Sequence, residues 1–438
     1  VNERLLEELT DWLRIPSIST GGGDPADLRR AADWVVERVR AAGGEAEAVE
    51  TAGNPLAVGE LRAADPGAPT VLIYGHYDVQ SVGDPAAWSS PPFEPAIRDG
   101  RLYARGASDD KGNFLPLLHV ACDLASAGEL PVNVRVVVEG EEEMGGESVA
   151  EWLRADTRGA DCALVFDSDM ADEHTPAITI GLRGMVQARI TVRTAERDLH
   201  SGMYGGSVLN AVHVLHAMLA AVLPGPDGRL REELRAGIEE PSAAELESWS
   251  RLKPGVEVLA EVGGRPLDAE AAADYYRRNG ADASLDVNLI EGGEPRTVVP
   301  STAHAVVSQR LAPRQRAGEI APVMERLLRD AAPPGAAVEI ELMLAEPALF
   351  DVEEPAIQLA ARALERATGT TPVMQRSGGS IPIVADLTAA GIPTIVGGFA
   401  LPDDAIHAPD ESYRLESLGL GEAAARELYA ALAELPRR

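Results

Sequence analysis

Basic residues are scarce in this 438-residue chain: 39 Lys and Arg stand against 70 Asp and Glu, a formal net charge of −31. Such an excess of anions repels nucleic acid and anionic membrane surfaces, so neither is expected as a partner. Most of the excess is expected on a solvated surface, and part of it in an acidic cluster that cations neutralise. Cysteine is nearly absent as well. Cys122 and Cys162 stand far apart among apolar neighbours, which argues against a disulfide framework or a zinc knuckle and for buried thiols in a reducing, cytoplasmic setting. No apolar run approaches the ~18 residues that a membrane span needs. Residues 1–13 read as an amphipathic acidic helix with neither the basic start nor the apolar stretch of a signal peptide, so none is expected. Internal repeats and low-complexity tracts are missing too.

What is present describes a globular protein, with 45% hydrophobic and 25% charged residues. The length favours two domains over one core. Helical spacing of apolar residues marks 1–13 and 27–42, and short strands are expected at 54–61 and 70–74. The second strand, TVLIY, is apolar throughout, as in a sheet covered on both faces. Strands at 132–138, 162–166 and 394–396 and helices at 113–127, 355–368 and 415–432 extend the same α/β pattern. Between them, 184–344 changes character: alternating strands at 185–192, 286–290, 303–311 and 337–342, with helices at 206–222 and 317–331. The expected fold is therefore a mixed sheet with helices on both faces, built from 1–183 and 345–438, carrying an inserted α+β domain at 184–344. Residues 224–283 are charged and loop-rich, and no chemistry attaches to them.

Polar residues collect where the strands stop. Gly75-His76-Tyr77-Asp78-Val79 follows the first buried strand, and in extended chain His76 and Asp78 share a face, so one can ligate a metal while the other orients it. In Arg105–Gly112, RGASDDKG, Asp109 or Asp110 would serve as a helix N-cap or as a ligand. Lys111 beside them is one of only two lysines, the other being Lys253. The run Glu139–Ser148, EGEEEMGGES, packs acids so densely at a strand end that cations should face them. Asp167 and Asp169 end the next strand, and His407 completes a plausible ligand set. Sites in α/β sheets lie beyond the carboxyl ends of strands. The turn Ser377-Gly378-Gly379-Ser380 has the form of an anion cradle, although most glycine-rich turns are only turns. His213 and His216 mimic a metal pair but sit in an apolar helical stretch, and His119 reads as core or ligand support.

Together, GHYDV (75–79), GASDDKG (106–112), EGEEEMGG (139–146), the acid at 167, GLRG with DLHSGMYGGS (181–207), GGSIP (378–382) and HAPDE (407–411) resemble the co-catalytic metallopeptidase family of carnosinases, cytosolic dipeptidases and glutamate carboxypeptidases. GLRG and DLHSGMYGGS point to its dipeptidase branch. The resemblance implies two divalent ions, Zn²⁺ first and Mn²⁺ second: His76, Asp109 and Asp167 would hold one, and Asp109, Glu143 and His407 the other, with Asp109 bridging. It implies Glu142 as general base on a metal-bridging hydroxide, Glu141 as a bystander, Asp78 as the group that orients His76, and a cis Asp109–Asp110 peptide. It gives the inserted domain a lid and homodimerisation role, with His200 stabilising the oxyanion from the partner subunit, Arg310 pairing with a substrate carboxylate, and Thr297 and Ser380 as further substrate contacts. The implied activity is hydrolysis of dipeptides or small peptides with a free carboxylate. An N-acyl amino acid amidohydrolase or a carboxypeptidase would use the same machinery, and a metal-stabilised dimeric binding protein is the reading from another class.

Overall fold

The computed structural model describes residues 2–379 and 381–436. The chain forms two compact units, one from Val1–Ile180, Phe350–Met374 and Pro382–Arg438, the other from Gly181–Leu349 and Gln375–Ile381. The expected boundaries were 183/184 and 344/345; the units change over at 180/181 and 349/350, and the glycine-rich turn goes with the inserted unit.

In the first unit the apolar runs become the centre of a mixed sheet. Asn133–Glu139, Thr70–His76, Cys162–Phe166 and Thr394–Gly397 lie side by side and parallel. Leu56–Leu61 and Glu45–Val49 add antiparallel strands beyond Asn133–Glu139, and Ala177–Leu182 pairs antiparallel with Thr394–Gly397. Side chains alternate between the faces of a strand. Val71 and Ile73 join a core with residues of the helices Glu3–Leu13, Pro25–Ala41, Lys111–Ala127, Pro355–Thr368 and Leu415–Leu432. Leu72 and Tyr74, equally buried, turn to the other face; the helix Pro382–Ala389 packs on Thr394–Gly397 of the sheet and on the helix Ser148–Ala155. Because the four central strands run the same way, the residues after His76, Glu139, Phe166 and Gly397 emerge at one edge.

Local chemistry fixes the helices that matter to that edge. Asp24 caps Pro25–Ala41 by accepting from the Ala26 N–H, with Pro25 at the first helical position. Gly128, at φ 70°, ends Lys111–Ala127 in the left-handed conformation that suits glycine. The rare lysine, Lys111, is fully buried, and its ammonium donates to the carbonyls of Trp12 and Ile15, each at 3.1 Å. It thereby closes the C-terminal end of Glu3–Leu13, where unpaired carbonyls favour a cation.

The second unit holds a four-stranded antiparallel sheet in the order Ser284–Gly292, Thr302–Leu311, Gly184–Arg193, Ala337–Ala345. Val186, Ala188, Ile190 and Val192 face inward with Ala303, Ala305 and Val307, under the helices Ala211–Ala220 and Ala317–Asp330. The helix expected from 206 begins only at Ala211, because Asn210 caps it by accepting from the N–H groups of Val212 and His213. The charged stretch 224–283 folds into short helices, among them Ala243–Trp249, Gly255–Glu261, Ala269–Ala273 and Tyr275–Gly280. Among the described residues, no helix is long and apolar enough to cross a membrane.

One buried side chain stitches the first unit together near the strand ends. Asn113 Oδ1 accepts from the Phe399 N–H at 2.8 Å and from the Tyr413 hydroxyl at 3.0 Å, while its amide donates to Ser108 O at 3.3 Å. Asn113→Ala strands two buried donors. It should lower unfolding free energy by about 2–4 kcal/mol, read from urea denaturation; an unchanged midpoint would contradict this placement.

Candidate metal centre

Each predicted ligand stands at an end or a turn that the sheet positions. His76 is the last residue of Thr70–His76, and Asp167 follows Cys162–Phe166 directly. Gly75 lets His76 sit close to the next helix: a Cβ there would come within 2.5 Å of the Phe114 ring and 2.7 Å of Asp110 Oδ2. Asp109 lies in the loop before Lys111–Ala127, and the Asp109–Asp110 peptide is cis, as the resemblance implied. Glu142 and Glu143 open a 3-10 turn, Glu142–Met144, just past Asn133–Glu139. His407 follows the turn Pro402–Asp404 and has φ 62°, a conformation it shares with Ala405 and Asp410.

These five segments meet. His76 Nε2 lies 3.0 Å from Asp109 Oδ1, and His407 Nε2 lies 3.0 Å from Asp109 Oδ2 and 3.1 Å from Glu143 Oε2. Ligand atoms of His76, Asp109 and Asp167 form one group with all separations within 4.8 Å, and those of Asp109, Glu143 and His407 form another. Asp109 belongs to both, one oxygen turned to each imidazole. Asp169, the alternative, is exposed and lies in neither group; it bridges Ala400 through its backbone. Two imidazoles and three carboxylates in two overlapping sets fit a pair of divalent ions sharing an oxygen ligand.

The electrostatics agree with that fit. Among the described residues, no lysine or arginine pairs with Asp109, Glu142, Glu143 or Asp167. Burial, reinforced by Asp110 and Asp109, pushes the Asp167 carboxyl well above its ordinary range. Burial, with Asp109, Glu143 and Asp78 adding to it against the pull of His76, raises Glu142 to about 7. Burial opposes charge on His76, but hydrogen bonds with Asp109 and Asp78 still hold its pKa well above the imidazole norm. His407 rises to about 10 through its bonds to Asp109 and Glu143. Carboxylates that draw protons onto two imidazoles draw metal cations by the same force.

A surrounding layer holds these groups in place. His76 Nδ1 donates to the Asp78 carbonyl at 3.0 Å, with the Asp78 carboxylate at 3.4 Å, which leaves Nε2 free to ligate. The Asp78 carboxylate does more than orient His76. It accepts from Ser19 Oγ at 2.6 Å and from the N–H groups of Glu142 and Glu143 at 3.3 and 3.2 Å, so it also seats the acidic turn. Gln80 Nε2 donates to Glu143 Oε2 at 2.9 Å. Glu141 points away and accepts from the Asn54 N–H at 3.0 Å. Glu411, fully buried, accepts from the N–H groups of Gly106, Ser108 and Asp109 at 2.9, 3.0 and 3.1 Å and from Arg105 at 2.7 Å. It lies four residues after His407, so one carboxylate joins the loop of the shared ligand to the loop of His407. Ser19, Gln80 and Glu411 were given no role in the sequence reading; the signals for the last two were that Gln80 directly follows GHYDV and that Glu411 closes HAPDE.

The remaining candidates fall in the second unit. His200 is exposed, pairs across strands with Val298, and accepts at Nδ1 from the Gly202 N–H at 3.1 Å. Thr297, also exposed, presents its carbonyl to Ser201. Arg310 is half-buried on Thr302–Leu311. Ser380 lies outside the described residues. In the Ser377–Gly379 turn the Gly379 N–H is taken by Ser377 Oγ at 3.1 Å, so this donor does not face a ligand. His213 and His216 are solvent-facing rather than embedded in the apolar stretch around them, and belong to neither ligand group. His119 is a core residue, bonded to Glu8 at 2.8 Å.

A family profile described as peptidase family M20/M25/M40 matches residues 72–431, a span containing every proposed ligand. The chain belongs to this family. Among M20 relatives, the cysteinylglycine-S-conjugate dipeptidase of Corynebacterium striatum is 29% identical over 439 residues, covering 96% of this chain and 94% of that one. The beta-Ala-His dipeptidase of Homo sapiens is 27% identical over 344 residues, covering 75% and 68%. An M20 metallo-carboxypeptidase from Sulfolobus solfataricus superposes with a TM-score of 0.89 at 25% identity, over 98% of this chain and 99% of that one. M20 membership agrees with the resemblance drawn from the motifs.

Two measurements bear on this M20 centre. Glu411→Gln turns one of its two accepting oxygens into a donor, which then faces either the Ser108 and Asp109 N–H groups or the Gly106 N–H and Arg105, and should weaken zinc binding about 10- to 100-fold, as loss of a ligand-supporting group does; equilibrium dialysis giving wild-type affinity would refute it. Protons and metal ions compete for the imidazoles. With His407 raised to about 10, zinc affinity should climb as pH rises through neutrality toward that value, with proton release on binding. Calorimetry in buffers of different ionisation heat measures both, and a pH-independent affinity would contradict the ligand set.

Proposed function

We propose that this M20 protein is a cytoplasmic two-metal dipeptidase that hydrolyses small peptides with a free carboxylate. The observation that carries the reading is the shared carboxylate of Asp109 between two imidazole-bearing ligand groups, with Glu142 beside it. Zn²⁺, or Mn²⁺ in its place, bound by these groups would lower the pKa of a water to about 7 and polarise the scissile carbonyl. Glu142, with a pKa near neutrality, takes a proton from the attacking water and passes it to the leaving amine. Asp78 holds the Glu142 and Glu143 N–H groups, so the base and the neighbouring ligand keep one spacing. Arg310 pairs with the substrate carboxylate in the bidentate manner of a guanidinium. His200 donates to the developing oxyanion from the partner subunit of a homodimer. Thr297 and Ser380 are further contacts.

Two relatives are named as dipeptidases, which supports the substrate class. Carboxypeptidase action is the second reading, supported by the Sulfolobus structure. Glu142→Gln should lower kcat by about 10²- to 10⁴-fold at unchanged metal content. Turnover close to wild type would remove Glu142 from the role of base. For the homodimer, the inactive variants Glu142→Gln and His200→Ala are mixed and allowed to exchange subunits. Transfer in trans restores about a quarter of wild-type activity, since half the dimers are mixed and each has one complete site; no recovery would place His200 in its own subunit's site or outside catalysis.

A further inference from the structure

Arg183, in the GLRG segment, is only 6% exposed and makes an unusual set of bonds for an arginine beside a half-buried one. Its N–H donates to Gly379 O at 3.2 Å and its Nε to Gly378 O at 3.3 Å. Its Nη1 reaches Arg278 O at 3.4 Å and Ser284 Oγ at 3.1 Å. One side chain thus ties the Ser377–Gly379 turn, the helix Tyr275–Gly280 and the first residue of Ser284–Gly292.

Ser284 is the cross-strand partner of Arg310, which has Met185 on its other side. The Arg310 guanidinium makes no hydrogen bond or ion pair among the described residues. Every named acceptor of Arg183 is neutral, so neither guanidinium is matched by a bonded carboxylate. Burial, with the like charge of Arg310 adding to it, brings Arg183 down to about 10, against the pull of Asp286 and Asp282. A carboxylate on Arg310 would relieve this repulsion, and Arg183 has already spent donors on carbonyls and a hydroxyl.

We propose that Arg183 is a positioning residue for carboxylate recognition: it locks the Ser377–Gly379 turn and Ser284 around Arg310, so that the Arg310 guanidinium stays open for the carboxylate of the substrate. This rests on the reading of Arg310 given above. Arg183 sets preference for a free C-terminus without touching the substrate. Lysine cannot replace it, since one nitrogen cannot reach acceptors on three segments.

The test uses the zinc-loaded enzyme and compares KM and kcat for an unblocked dipeptide and its C-terminal amide. Arg183→Met should raise KM for the free dipeptide roughly 10- to 100-fold, leaving the amide nearly unaffected, as loss of a buried bonding partner and of uniform binding predicts. Arg183→Lys should fall between, and Ser284→Ala should raise KM for the free dipeptide a few-fold. Zinc content and thermal unfolding are read for each variant; if Arg183→Met does not fold, Arg183→Lys and Ser284→Ala carry the comparison. Equal effects on both substrates, or unchanged KM in the folded variants, would overturn the proposal. Arg310→Met separates the two claims. If it preserves discrimination between dipeptide and amide, the reading of Arg310 fails. If it abolishes discrimination while the Arg183 and Ser284 variants keep it, only the role of Arg183 fails.

Discussion

A carboxylate shared between two imidazoles is the constraint on which the first unit depends. For Asp109 to turn one oxygen to His76 and the other to His407, segments separated by hundreds of residues must arrive at one point. The parallel sheet supplies most of that convergence, because His76, Glu139 and Phe166 end neighbouring strands that run in the same direction. The rest comes from buried side chains whose hydrogen bonds are mostly to backbone. Asp78 grips the acidic turn, Glu411 grips the Asp109 loop, and Asn113 grips the chain on either side of His407. Each removes a carboxylate or an amide from water, which is tolerable only because several donors or acceptors meet it.

The same burial explains the chemistry of the acids. Asp110 and Asp167 are pushed above the carboxylate range chiefly by desolvation, and Glu142 is brought to about 7. An acid near neutrality beside a water-activating centre is suited to move protons in both directions. Glu143, one residue on, meets Gln80 and His407 instead, so adjacent glutamates separate into different work by what each faces.

Much of this was legible in the sequence, and the parts that were not have a common cause. Uniform apolar runs ending in His or Asp announce buried strands and their edge, so the ligand positions can be picked out one by one. The Asp167 and Asp169 alternative was narrowed only by motif spacing; in three dimensions Asp167 lies with His76 and Asp109, and Asp169 does not. Glu45–Val49, EAEAV, carries strong helix formers and was not read as a strand; pairing with Leu56–Leu61 overrides propensity there. Ser148–Ala155 and Pro382–Ala389 are too short for periodicity to stand out. Ser19, Gln80 and Glu411 matter through the loops they join, and which loops meet is a property of topology. The onset of the helix at Ala211 shows the opposite case, where a readable cap, Asn210, was overrun by an apolar pattern. In the second unit, GLRG served only as a recognition motif, and the bonds of Arg183 give it a physical content that spacing alone could not.

Anomalous diffraction from crystals grown with zinc tests the central claim most directly. Two peaks about 3.5–4 Å apart are predicted, the separation of co-catalytic ions that share a ligand. One should be bounded by His76 and Asp167, the other by Glu143 and His407, with Asp109 between them. A single peak, or two without Asp109 in common, would contradict the account.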